Sequence, residues 1–137
     1  MFLRWLPILI TMVLLAACGS TPLAEPPLYP GAAPATTGES SLADAMVGGF
    51  TAEIVGERNA AAVRLVRLPA GVTWDQAKRF YADRLEGTGW RADPGVLVEG
   101  DTISYAGWRN RDQLIAIAHV DDALTGAPYL ALAVVRR

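Results

Sequence analysis

The chain contains one cysteine, Cys18, and one histidine, His119. One cysteine cannot form an intramolecular disulfide, and one histidine excludes a metal site built from several histidines and the H-E-x-x-H motif. The sequence also lacks the G-x-S-x-G and S-x-x-K nucleophile motifs. His119 lies in an apolar run, which is more typical of a hydrogen-bonded interior residue than of a general base. We therefore predict no catalytic residues and a protein that is not an enzyme.

Four carboxylates, Glu99, Asp101, Asp121 and Asp122, flank the predicted strands. Together they could bind a hard cation through oxygen, but their spacing does not fit an EF-hand loop. Acidic residues in solvated hairpin turns are the ordinary interpretation of this pattern. We predict no metal ion and no cofactor.

Trp108, Arg109 and Arg111 form the best exposed candidate for a binding site. An aromatic ring beside two guanidinium groups can bind anionic or planar groups through cation–π and bidentate contacts. The alternative is a hairpin corner with solvated arginines.

The formal net charge of −2 argues against a nucleic-acid partner, because such proteins usually carry a basic surface. Most of the excess apolar content lies near the N-terminus, where residues 2–17 are almost entirely apolar. This run follows the order of a signal peptide: Arg4, an apolar stretch, then small residues. It is shorter than the roughly 20 residues that a membrane-spanning helix needs.

Leu15-Ala16-Ala17-Cys18 resembles the lipobox of bacterial lipoproteins. The resemblance implies cleavage before Cys18, a diacylglycerol thioether on its sulfur and a further acyl chain such as palmitate on the new N-terminus. It also implies attachment to a cell membrane or an outer membrane, facing the extracytoplasmic side. The alternative is an ordinary secretory peptide that is cut near a chance cysteine.

We accordingly divide the chain into a signal peptide (1–17), a lipidated cysteine with a Pro- and Ala-rich tether (18–40), and one domain (41–137). The tether composition favours disorder with polyproline character, at about 3.1 Å per residue. The domain would then lie several nanometres from the membrane.

The clearest helix begins after Thr73, whose side chain and that of Gln76 can form a capping box. Trp74, Ala77, Tyr81 and Leu85 mark its apolar face, and Gly87 or Gly89 closes it. Residues 41–56 are ambiguous between a short additional helix, which stops or bends near Gly48 and Gly49, and a strand from Phe50. We favour the helix, with Ser40 or Ser41 as its cap.

Strands are predicted for residues 61–68, 90–99, 102–108, 114–120 and 129–135. The last two are nearly continuous apolar runs, so they should be central and buried on both faces. One face carries the larger residues, which should support the helix, and the other is rich in alanine. The sequence predicts an α+β fold with an antiparallel sheet of about four or five strands on one main amphipathic helix.

A second resemblance involves Tyr29-Pro30-Gly31-Ala32, Phe80-Tyr81 and Gly89-Trp90. These motifs are similar to those of a loosely defined group of uncharacterised bacterial lipoproteins. The resemblance implies a compact α+β fold in which the helix with Phe80-Tyr81 packs on an antiparallel sheet. It implies no activity.

Our leading hypothesis is a lipid-anchored binding module for another envelope protein or polymer, using the Ala-rich sheet face or the Trp108–Arg111 corner. The alternative is a carrier or sensor of small apolar or aromatic ligands, with a cavity lined by Trp74, Tyr81 and Trp108. A hydrolase that uses His119 with an aspartate ranks last.

Overall fold

The computed structural model describes Gly19 and residues 21–137. The expected signal peptide (1–17) and the lipid site at Cys18 lie outside the described residues. Within the described part of the chain, no helix is long and apolar enough to cross a membrane.

The fold is α+β, as predicted, and its centre is an antiparallel sheet of seven strands. The long strands are β5 (Ile103–Asn110), β6 (Gln113–Asp122) and β7 (Ala127–Arg136). The short ones are β1 (Ala33–Pro34), β2 (Arg64–Arg67), β3 (Arg91–Ala92) and β4 (Val98–Glu99). The order is β1-β2-β7-β6-β5-β3, and β4 also pairs with β5. The sheet exceeds the expected number of strands because two-residue strands are too short to carry a periodic pattern.

Helix α2 (Trp74–Glu86) begins with the predicted capping box between Thr73 and Gln76. Its Ala77, Tyr81 and Leu85 pack on the face of the sheet that carries Ile117 and Leu132. This confirms the prediction that the helix packs on the sheet face with the larger residues.

The opposite, alanine-rich face is covered by α1 (Ser41–Phe50). Residues 41–55 are therefore helical, since α1 continues into a π-helical turn, Thr51–Val55. The change of helix type follows Gly48 and Gly49, which are both within α1. A Cβ on Gly49 would lie 3.1 Å from Tyr105 Oη, so the glycine permits a close approach of α1 to the sheet.

Small side chains in the sheet also allow α1 to pack close to it. Ala116 pairs with Gly107 on one side and Ala133 on the other, and Ala118 pairs with Ala131. The leading hypothesis offered this face as a binding surface. This part of the hypothesis is wrong, because Met46 and Phe50 of α1 are fully buried against the alanine-rich face.

The N-terminal segment differs from the expected extended tether. Gln113 Nε2 donates to Pro22 O at 3.0 Å, and Ala24 N donates to Gln113 Oε1 at 2.8 Å. Tyr29 then contacts Phe80 edge to face, with ring centroids 5.1 Å apart. The composition predicted disorder because the segment has few large apolar side chains. The segment is instead held by hydrogen bonds between its backbone and the side chain of Gln113, and by the contact of Tyr29 with Phe80.

Candidate functional site

The predicted binding residues lie at the β5–β6 hairpin but do not form one exposed cluster. Trp108 is only 2% exposed and packs beneath α2, with its ring centroid 6.3 Å from that of Tyr81. The strand alternates, so Trp108 faces the core while its neighbour Arg109 does not. The expected exposure of Trp108 is therefore wrong.

Arg109 is half-buried and forms an ion pair with Asp93. Arg111 is exposed in the hairpin turn, where its φ of 56° is a conformation that few residues other than glycine adopt. Both guanidinium groups border a shallow depression with Arg91, Pro94 and Asn110. The hairpin thus presents arginines without an exposed aromatic ring.

The expected internal cavity between α2 and the sheet is filled by side chains. Tyr81 is fully buried, and burial raises the pKa of its hydroxyl to about 12, against smaller opposing effects of the Tyr29 backbone and Arg64. The indole N–H groups of Trp74 and Trp108 are buried without a hydrogen-bond partner among the described residues. Tyr81 and Trp108 therefore belong to the packed interior, whereas Trp74 is partly buried at its edge. Trp108 also borders a surface groove.

That groove runs between α2 and the segment that follows β3, and its volume is about 540 Å³. We call it the α2 groove. Its floor is formed by Ala106, Gly107 and Trp108 of β5. Ala82 lies in the wall formed by α2, and Ala92, Pro94 and Leu97 form the far wall. The predicted strand over residues 90–99 is wrong, because a turn at residues 94–96 divides it into β3 and β4. Sequence reasoning therefore missed this site, although Asp93-Pro94-Gly95 is a turn signal that could have indicated it.

Charged side chains of both signs border the α2 groove. Asp75, Lys78, Arg79 and Glu86 come from α2, and Asp93 comes from the opposite wall. Leu97, in the far wall, is 47% exposed, so the apolar lining of the groove reaches the surface there. Such an apolar patch with a charged border is a candidate binding surface.

The four carboxylates discussed above do not form a metal site. No group of three or more metal-ligating side chains occurs among residues 21–137. Lys78 contacts Glu99 and lowers the pKa of that carboxyl through a hydrogen bond and its charge. Asp122 is buried and accepts a hydrogen bond from Ser40. Both carboxylates therefore have structural partners.

His119 also has structural neighbours. Its Nε2 lies 3.4 Å from Val72 O, and its ring centroid is 6.0 Å from that of Trp74. Burial lowers its pKa, against the weaker opposing effects of Val72 O and the charge of Asp121. Within the described residues no carboxylate hydrogen-bonds to His119, so the pairing that the hydrolase hypothesis requires is not formed.

Comparison of the chain with protein-family models, curated proteins and solved structures found no match.

Proposed function

We propose that this chain is a lipid-anchored extracytoplasmic binding module, and that its α2 groove takes an apolar side chain presented by another envelope protein. The observation that carries the proposal is the apolar lining of the groove, which includes the exposed side chain of Leu97. The lipobox-like Leu15-Ala16-Ala17-Cys18 supports attachment to a membrane.

The shape of the groove favours a protein partner. Enclosed pockets bury most of a small ligand, whereas this groove is an open depression on the surface. Its border carries both acidic and basic groups, Asp75 and Glu86 with Lys78 and Arg79. Mixed charges around an apolar centre resemble the polar rim and apolar core of a protein interface.

Site-specific photocrosslinking in the native envelope tests this proposal. A photoreactive amino acid at Leu97 should give a discrete, saturable protein adduct, and Ala82→Trp, which fills the groove, should abolish it. The matched control is the same photoreactive group at Leu124, which is 97% exposed in the β6–β7 turn. Equal adducts from both positions, or an adduct that Ala82→Trp leaves unchanged, would contradict the proposal.

The second candidate is a carrier of small apolar or aromatic ligands. The volume of the α2 groove falls within the range of about 300–1,000 Å³ that is typical of ligand pockets. Trp108 borders it, so an occupant should shift tryptophan emission. A saturable shift that Ala82→Trp removes, without any protein adduct at Leu97, would favour this candidate over the first.

A further inference from the structure

Five arginines gather at one end of the sheet, around the β5–β6 hairpin. Arg91 pairs with Arg109 across β3 and β5, and Arg111 lies in the hairpin turn. Arg136 pairs with Gln113 in the register of β6 and β7, and Arg137 N donates to Asp112 O. We call this set of five arginines the arginine end.

Only part of this positive charge is balanced locally. Arg109 pairs with Asp93, and Arg136 pairs with Asp112. Arg91, Arg111 and Arg137 are exposed and form no ion pair with any described residue. Glu25 and Glu86, the last residue of α2, are further acidic residues in the segments that meet here.

The opposite end of the sheet is acidic. Asp121 and Asp122 end β6, while Glu99 and Asp101 precede β5. Since strands rise about 3.3 Å per residue, β6 separates the two ends by roughly 30 Å. The three unpaired arginines and these four carboxylates therefore lie at opposite ends of the strand axis.

The N-terminal segment leaves the domain at the arginine end. Pro22 O is held by the side chain of Gln113, beside the hairpin turn. Cys18 precedes Pro22 by four residues, and four residues can span at most about 14 Å. A lipid on Cys18 would thus hold this end close to the membrane, at a distance comparable with the Debye length of about 8–10 Å.

From this arrangement we infer that the arginine end docks on the anionic phosphate headgroups of the membrane that holds Cys18. The inference rests on the proposed lipid anchor. The exposed arginines can bind phosphate oxygens bidentately, and the acidic end stays available to a partner. The anchor and the charge together fix which end of the domain faces the bilayer.

Arginine reactivity in the natural lipidated protein tests the inference. The protein is reconstituted in vesicles of phosphatidylcholine alone or with phosphatidylglycerol, treated briefly with phenylglyoxal and mapped by peptide mass spectrometry. On anionic vesicles, Arg91, Arg111 and Arg137 should react about fivefold more slowly, a factor that corresponds to about 1 kcal/mol per arginine near a charged surface. High salt should remove this protection.

The exposed arginines Arg58 and Arg79 serve as internal controls and should react equally on both vesicles. If Arg91, Arg111 and Arg137 also reacted at equal rates on both vesicles, the inference would be overturned, while the lipid anchor would stand. Protection that inorganic phosphate reproduces on neutral vesicles would also overturn it, because the site would then bind free anions. A protein that floats with neither vesicle would overturn both the anchor and the inference.

Discussion

Ser40 Oγ donates a hydrogen bond to Asp122 Oδ2 at 2.5 Å and accepts one from Ala43 N at 3.0 Å. One buried hydroxyl thus caps α1 and ties its start to the β6–β7 turn. Asp122 also accepts from Leu124 N, so the carboxylate organises the turn itself. The contact joins the start of α1 to the end of β6.

Replacing Ser40 by alanine should destabilise the domain. Loss of an N-cap costs about 0.5–2 kcal/mol, and Asp122 loses a buried hydrogen bond as well. Urea unfolding followed by circular dichroism measures the change. Ser41→Ala, at an exposed neighbouring position, is the control and should have little effect. Equal stability of both variants and the parent chain would show that the contact is unimportant.

The same contact predicts a loss of stability in acid. The hydrogen bond from Ser40, followed by that from Leu124, lowers the pKa of Asp122 below its ordinary value. The carboxylate therefore contributes stability above its unfolded-state pKa, near 3.9, and this contribution is lost as the pH falls through the lower, folded-state pKa. Between pH 6 and pH 3 the Ser40→Ala variant should lose less free energy of unfolding than the parent chain. A parallel decline of both would contradict the assignment.

Much of the fold could be predicted from the sequence because the long elements carry strong periodic patterns. The capping box of Thr73 and Gln76 and the opposite faces of Ile117 and Ala118 are local features, and the structure confirms both. The short strands and the N-terminal segment depend instead on tertiary contacts, such as those of Gln113. The α2 groove depends on the turn at residues 94–96, which interrupts the strand predicted over residues 90–99 and brings Pro94 and Leu97 beside α2.

Two glycines provide a test of how closely the layers pack. A Cβ on Gly107 would lie 2.9 Å from Val96 Cγ1 and 3.1 Å from Leu114 Cδ1, so Gly107→Ala should cost about 1–3 kcal/mol of stability. A Cβ on Gly48 would meet nothing within 4 Å, and Gly48→Ala should stabilise α1 by up to about 1 kcal/mol. Thermal unfolding of the two variants should move in opposite directions. A stabilised Gly107→Ala variant would contradict the packing described here.

Gln113→Ala should release the start of the N-terminal segment. It removes the contacts to Pro22 O and Ala24 N, which would raise amide exchange at Ala24 and cost about 1–3 kcal/mol. Hydrogen exchange with mass spectrometry measures the effect. Asn59→Ala is a matched control, because it removes a side-chain hydrogen bond to Val55 O at a different site. Unchanged exchange in residues 21–28 would mean that Gln113 does not hold the segment.

The burial of His119 predicts a second pH dependence of the free energy of unfolding, at a higher pH than that of Asp122. Burial lowers its pKa below the ordinary value of about 6.5, so the folded state favours the neutral ring. Its contribution to stability is complete above that value and is lost as the pH falls through the lower, folded-state pKa. His119→Phe should therefore show a smaller decrease in the free energy of unfolding between pH 7.5 and pH 5. An unchanged pH slope in the variant would contradict this role.

The intact mass of the protein isolated from its native membrane tests the proposed anchor most directly. We expect a chain that begins at Cys18 and carries the added mass of a diacylglycerol group, together with a further acyl chain on its N-terminus where that modification occurs. Cys18→Ser should eliminate this mass and release the domain from the membrane. A natural product with an unmodified sulfur, or one that retains residues 1–17, would contradict the membrane anchor and the orientation inferred from it.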